Sequence, residues 1–189
     1  MSRLEVKVDK FADVLRSINL LVAQQVLVGV PDSTTERQAE KGPMNNATLG
    51  YIHEFGSPAA NIPARPFLIP GVQGAEDAIE ARFKKAAQAA LSGDGQKVEA
   101  QLMSAGMETA DAVREKILEG DFAPLSPSTI AQRSRSRNTK SQRESEMLYA
   151  GLLAQGIDAG EAQALAGIRP LINTTQLQKS ITFVLRKGK

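Results

Sequence analysis

The side chains most suited to catalysis or metal binding are those of His53 and Glu54. His53 is the only histidine of the 189-residue chain. An imidazole beside a carboxylate suggests acid–base chemistry or zinc binding. Neighbouring residues on a helix point in different directions, so the two side chains are not expected to cooperate. An HExxH zinc motif is absent, since Ser57 stands where its second histidine would be. We interpret His53 as a structural histidine, and a small hydrolase centred on this pair is the less favoured alternative.

The sequence contains no other motif with a known catalytic mechanism. It has no GxSxG, no Walker loop and no GxGxxG that opens a helix after a strand. It has no cysteine, which excludes a disulfide framework and a thiolate metal site. We therefore predict that the protein is not an enzyme and uses neither a cofactor nor a metal.

The strongest concentration of charge lies between residues 133 and 143. Its cations are Arg133, Arg135, Arg137, Lys140 and Arg143. Such a run can follow a phosphate backbone without reading bases, although it lacks the aromatic residues of a single-strand stacking platform. The net charge of the chain is only +2, so any contact with DNA would depend on this local run. An ordinary solvated loop is the alternative, and both interpretations stay open.

Hydrophobic periodicity predicts the elements that would position these residues. Alternating apolar and charged residues over 4–8 indicate a half-buried strand, and the apolar run 25–30 and the β-rich segment 181–185 indicate further strands. Helical spacing predicts an amphipathic helix over 11–23 and a short helix over 46–55. Strands at the ends with helices between them favour an α+β fold.

The middle of the chain should be helical, with polar loops. Apolar stripes predict a helical hairpin over about 75–120, and a cap followed by proline predicts a short helix over 127–133. Residues 31–45 and 134–145 lack apolar periodicity, and we interpret the second range as a flexible basic loop. We therefore predict a single α+β domain over residues 1–189, with a small, mostly antiparallel sheet and helices packed on one face.

The composition places the chain among globular proteins. Hydrophobic residues make up 42% and charged residues 23%, a balance that is neither disordered nor membrane-like. No stretch approaches the roughly 20 apolar residues of a membrane span, and the N-terminus lacks a signal-peptide core. We expect a protein that is cytoplasmic when it is made and that does not contact a membrane.

Several separated stretches resemble the motifs of one protein family. They read YIHEFG at 51–56, IPARPFL at 62–68 and PLINT at 170–174, with VLVGV at 26–30 and LSPST at 125–129 in the same order. Together they are similar to the Mu-type virion morphogenesis and tail-completion family of long-tailed bacteriophages. Thr175 departs from the pattern, because the family usually has glycine there, and this leaves open a differently shaped turn before the last helix.

The resemblance implies a virion protein at the head-to-tail joint, with a tail-terminator-like fold and no catalytic residues. Such a subunit would form a homo-oligomeric ring of about six copies that completes or terminates the tail tube and connects it to the neck. Its partners would be the tail tube protein and a neck, stopper or head-completion protein. It would lie in the virion after assembly in the host cytoplasm. In such a ring the basic run is a candidate to face the channel, where it could contact packaged DNA non-specifically.

The Pro-braced segment that contains Arg65 is the predicted subunit contact. Its backbone is held extended, so Arg65 could present a planar fork to a carboxylate on a neighbour while Phe67 and Leu68 anchor the segment. Pairing of Arg65 within its own subunit is the alternative. The predicted interface residues are His53, Glu54, Arg65, Pro66, Phe67 and Leu68. The alternative function is a non-specific DNA-binding morphogenesis factor that uses the basic run.

Overall fold

The computed structural model describes residues 10–31, 45–135, 140–173 and 175–188. Helices take up 68% of these residues, so the described protein is mainly helical. The helices are α1 (Phe11–Ala23), α2 (Asn46–Phe55), α3 (Leu68–Gly74), α4 (Glu76–Leu91), α5 (Gly95–Glu119), α6 (Pro127–Arg135), α7 (Lys140–Ala154), α8 (Ala159–Leu165) and α9 (Gln176–Ser180). The strands are β1 (Gln24–Gly29) and β2 (Thr182–Lys187), and a short 3-10 helix covers Pro58–Ala60.

The sheet in the described part of the chain is one antiparallel pair. Val26 of β1 lies opposite Leu185 of β2, and Gly29 lies opposite Thr182. Burial alternates over residues 24–28 of β1 and 183–186 of β2, as expected when one face of a sheet packs on a core. The predicted α+β class and antiparallel pairing are confirmed. The strand predicted over 4–8 lies outside the described residues.

The chain divides into two compact units, which the sequence did not predict. The first unit consists of Met1–Pro31, Leu68–Arg114 and Ile181–Lys189, and the second of Asp32–Phe67 and Glu115–Ser180. The boundary falls inside α5, where the helical pattern continues without interruption. Each unit joins segments that are far apart in the sequence, so no local pattern reveals the division.

The first unit buries a core of mostly small residues. This core consists of Ala86, Ala89, Ala90, Val98 and Leu102, with Ile18, Leu20, Leu21, Val26 and Leu185 packed against it. Alanine side chains let helices approach closely, which suits a chain with no tryptophan. The predicted helical pair over 75–120 corresponds to α4 and α5, which Arg82 of α4 links by donating to the Glu108 carboxylate of α5.

The second unit has a core of its own. Its buried members are Leu125, Ile130, Tyr149, Ala162 and Ala166. The Leu125 N–H donates to the Gln163 side-chain oxygen over 2.7 Å. The Asp158 carboxylate caps α8 by accepting from the Gly160 N–H over 2.9 Å, the usual role of Asp before a helix. These polar contacts hold the connections between the short helices of this unit.

The flexible loop predicted over 134–145 is corrected at both ends. α6 extends to Arg135, and α7 begins at Lys140. The lack of apolar residues suggested a loop, but Lys, Gln, Arg and Glu all favour helix. Lys140 also lies one turn before Glu144, with 3.9 Å between the charged groups, a spacing that supports a helix. Residues 136–139 lie outside the described part of the chain.

The turn before α9 contains a non-glycine residue in the left-handed region. Thr175 has φ 56°, which is unfavourable for a β-branched residue because its side chain crowds the backbone. This is the position where the family resemblance expects glycine. The backbone therefore has a conformation that glycine adopts freely, although the residue is threonine.

Candidate subunit interface

The motif segment 51–68 begins on α2, whose two ends are fixed by local chemistry. The Asn45 side chain caps the start by accepting from the Thr48 N–H over 2.7 Å. Gly56 ends the helix with φ 75°. A Cβ on Gly56 would lie 2.9 Å from the Ala64 nitrogen and the Ile62 oxygen, so only glycine lets the following loop come this close.

The loop after α2 folds back on itself and on the helix. Ser57 and Ile62 exchange backbone hydrogen bonds of 2.9 and 3.0 Å around the 3-10 helix. The Arg65 N–H then donates to the His53 carbonyl over 2.6 Å. Pro63 and Pro66 restrict the backbone between these contacts. The loop is therefore tied to the C-terminal end of α2 rather than extended away from it.

The inner side of α2 carries a carboxylate instead of an apolar residue. The Glu54 side chain is buried and accepts a hydrogen bond from the Phe67 N–H over 2.8 Å. Phe67 itself is fully buried. A buried carboxylate needs such donors, because leaving it without them would cost several kcal/mol. Glu54 therefore connects the helix to the end of the loop inside one subunit.

The Arg65 guanidinium also acts inside its own subunit. It is only 4% exposed, and it donates from Nε to the Ala123 carbonyl over 2.8 Å and from Nη2 to the Pro124 carbonyl over 2.9 Å. Burial lowers the pKa of Arg65 from its usual value. Of the two alternatives for Arg65, the structure shows the internal one: its fork is directed at backbone oxygens of the second unit.

The outer side of α2 exposes an aromatic pair that is not among the predicted interface residues. Tyr51 is 65% exposed and Phe55 is 58% exposed. Their rings lie 4.8 Å apart between centroids, at an interplanar angle of 49°, a geometry that favours aromatic contact. Their i, i+4 spacing was the available signal in the sequence.

The other predicted interface residues differ in how far they are exposed to solvent. Pro66 is exposed, whereas His53 and Leu68 are half-buried, and Leu68 begins α3 in the first unit. The segment thus places Glu54 and Phe67 inside and leaves the aromatic pair outside. The outward surface of the motif is therefore apolar and rigidly supported.

The basic run is divided between internal and exposed positions. The Arg133 guanidinium donates from Nη2 to the Pro170 carbonyl over 2.7 Å and from Nη1 to the Ile172 carbonyl over 3.3 Å. Burial lowers the pKa of Arg133, an effect that the nearby Glu146 opposes and the nearby Arg65 increases. Arg133 thus holds the loop before α9 within the second unit.

Of the four remaining cations of the run, two have side chains that the structure describes. Lys140 and Arg143 lie exposed on the first turns of α7. The backbone of Arg135 ends α6, and Arg137 lies outside the described residues. A cleft of about 200 Å³ beside α7 is lined by both arginine and carboxylate side chains, including Arg133, Arg169 and Glu146, so its charge is mixed.

Within the described ranges no group of His, Cys, Asp or Glu side chains could hold a metal ion. The same residues contain no helix that is both long and apolar enough to cross a membrane. Comparisons with protein-family models, with curated proteins and with solved structures find no match for this chain.

Proposed function

We propose that this chain is a structural subunit of a bacteriophage tail, which forms a ring at the head-to-tail joint and completes or terminates the tail tube. The motifs at 51–68 and 170–174 support the proposal through their resemblance to the tail-completion family. In this proposal the protein has no catalytic residue, and its partners are copies of itself, the tail tube protein and a neck or stopper protein.

The observation that carries the proposal is the exposed pair Tyr51 and Phe55. Aromatic side chains contribute most of the energy of many protein interfaces, because they bury a large area with few rotatable bonds. Here they lie on a helix that is tied to the following loop by the bond from the Phe67 N–H to the Glu54 carboxylate and by the bond from the Arg65 N–H to the His53 carbonyl. A rigid support lowers the entropic cost of docking a partner on this surface.

The experiment is native mass spectrometry of the purified protein, alone and with tail tube and neck proteins. The test variant replaces both Tyr51 and Phe55 by alanine. The control replaces Met103 and Met107, an exposed pair with the same i, i+4 spacing on α5. We expect the aromatic variant to lose assembly and the methionine variant to keep it, with both remaining folded by circular dichroism.

Two outcomes count against the proposal. A wild-type protein that stays a monomer with every tail and neck partner and never joins virions would refute the structural role. If the aromatic variant assembles as well as the wild type, the aromatic pair does not contribute to the interface. Virions that lack the protein should show tailless heads beside free tails, or tails of abnormal length.

A second candidate function is non-specific DNA binding during assembly, and the exposed Lys140 and Arg143 of α7 favour it. Replacing both by alanine should weaken DNA binding and its dependence on salt, because fewer counterions are released. The control replaces Lys84 and Lys97, two exposed lysines of the first unit, and removes the same charge. Equal binding by the two variants would exclude a specific role for the basic run.

A further inference from the structure

The two-stranded sheet has strand edges without partners in the described part of the chain. β1 pairs with β2 along one edge, and no described strand pairs with the opposite edge of either strand. Unpaired edges offer backbone donors and acceptors to another chain, so proteins usually block them with charged residues or proline. β1 reads QQVLVG and contains neither.

The middle of the exposed face of this sheet is also apolar. Leu27 is 43% exposed and lies opposite Val184, which is 52% exposed. An apolar depression of about 190 Å³ adjoins the pair and continues along Val28 to Pro31. The other face is used internally, since Val26 and Leu185 pack on the core of the first unit. The open edge is therefore bordered by exposed apolar side chains.

The pairing of β1 with β2 inside the chain is a guide to how the strands of two copies would pair. β2 ends in Arg186 and Lys187, which lie opposite Gln25 and Gln24. Parallel pairing of β2 with β2 of another copy in register would place Arg186 opposite Arg186 and Lys187 opposite Lys187, which is unfavourable. Pairing β1 with β2 of another copy places amides opposite cations and leucine opposite valine, as the chain already does internally.

We propose that β1 of one copy pairs antiparallel with β2 of a neighbouring copy, in the register of the β1–β2 pair within the chain. One kind of contact then uses both open edges. Because the two sides of the contact differ, repetition generates a closed ring or an open filament rather than a dimer. This inference rests on the proposed self-assembly and specifies one contact that the ring would use.

Cysteine cross-linking tests the pairing directly, because the chain has no cysteine of its own. The variants are Gln25→Cys and Arg186→Cys, each with a single thiol, so that no disulfide can form within one chain. Residues opposite each other in an antiparallel pair lie within disulfide distance. We expect cross-linked dimers on a non-reducing gel when the two variants are mixed, and none from either variant alone.

The control mixture combines Arg186→Cys with Leu91→Cys, which places an exposed thiol on α4 of the same unit. Cross-linking of Gln25→Cys alone would indicate β1–β1 pairing and overturn the inference. An assembled sample without cross-links from the mixture would also overturn it, and would mean that the edges are covered otherwise, for example by residues 1–9 of the same chain. Native mass spectrometry of the same samples separates this result from failure of the proposed function, which would leave only monomers.

A blocking variant gives a second measurement. Leu27→Lys puts a charge beside the open edge of β1, where a long side chain can reach solvent. We expect it to remain folded by circular dichroism and to lose oligomers, whereas Leu91→Lys keeps them. Unchanged assembly of the folded Leu27→Lys protein would contradict the inference.

Discussion

The Arg65 guanidinium is expected to stabilise the isolated subunit, independently of any assembly. Its hydrogen bonds reach Ala123 and Pro124, which are 58 and 59 residues away in the sequence, and both are part-buried. A hydrogen bond from a charged donor contributes about 1.5–3 kcal/mol. Arg65 itself is buried, but Ala123 is half-buried and Pro124 is exposed, so water can replace some of this contribution. The lower end therefore applies, and loss of both bonds should cost about 3 kcal/mol in the free energy of unfolding.

Two substitutions separate the contributions of charge and geometry. Arg65→Ala should lower the melting temperature by about 6–12 °C, given about 2–4 °C per kcal/mol for a chain of this length. Arg65→Lys keeps the positive charge but not the planar fork, so it should lose about half as much. The assay is urea and thermal unfolding, followed by circular dichroism at concentrations where the protein is monomeric.

Arg16→Ala is the control, because Arg16 is an exposed arginine with only an i, i+3 ion pair to Asp13. Its loss should change stability by less than about 0.5 kcal/mol. The reasoning is refuted if Arg65→Ala unfolds like the wild-type monomer but fails to assemble. That result would mean that the guanidinium fork works between subunits and not within one.

Three further predictions concern backbone strain, a buried hydroxyl and helix packing. Thr175→Gly should stabilise the protein by about 0.5–1 kcal/mol in urea unfolding, since relief of left-handed strain exceeds the added entropy of the unfolded chain; a loss of stability would show that threonine is not strained there. Burial, and to a lesser extent the charge of a nearby aspartate, raise the pKa of Tyr149 above 10.0. Its neutral form is therefore favoured in the folded state, so its contribution to stability is present below pH 10 and is lost as the pH rises through the folded pKa. Above pH 10 the free energy of unfolding should therefore fall less steeply with pH in Tyr149→Phe than in the wild type. An unchanged slope would mean that other groups cause the loss of stability. Gly106→Ala should destabilise the first unit, because a Cβ there would lie 2.3 Å from the Phe183 ring. Gly151→Ala should stabilise its helix by about 0.5–1 kcal/mol, because a Cβ there would meet no neighbouring segment within 4 Å. Thermal unfolding that ranks the two alanine variants in the opposite order would contradict both predictions.

Local patterns were sufficient to predict most of the helices and strands. The bounds of α1 agree with its apolar spacing, α2 begins and ends at a cap and a glycine that are visible in the sequence, and β1 follows the apolar run before Pro31. These elements depend on side-chain periodicity and turn chemistry over a few residues. The polar start of α7 was missed, because helix propensity without an apolar stripe resembles a loop.

The sequence motif indicated which segment forms the candidate site, but not which of its side chains are exposed. The motif at 51–68 located the region, yet the residues expected at an interface include the buried Glu54, Arg65 and Phe67. The exposed Tyr51 and Phe55 belong to the same motif. Residue type alone suggested a charged contact, whereas the structure exposes an apolar surface.

By itself, the sequence determined most of the positions where the chain becomes helix, strand or turn, and where Gly56 and the prolines must bend it. Only the tertiary structure decided which side of α2 faces inward, which oxygens receive the Arg65 fork, and which edges of β1 and β2 pair with each other. The physical reason is distance along the chain. Burial and hydrogen-bond partners depend on segments that are tens of residues away, and local periodicity carries no information about which segments meet.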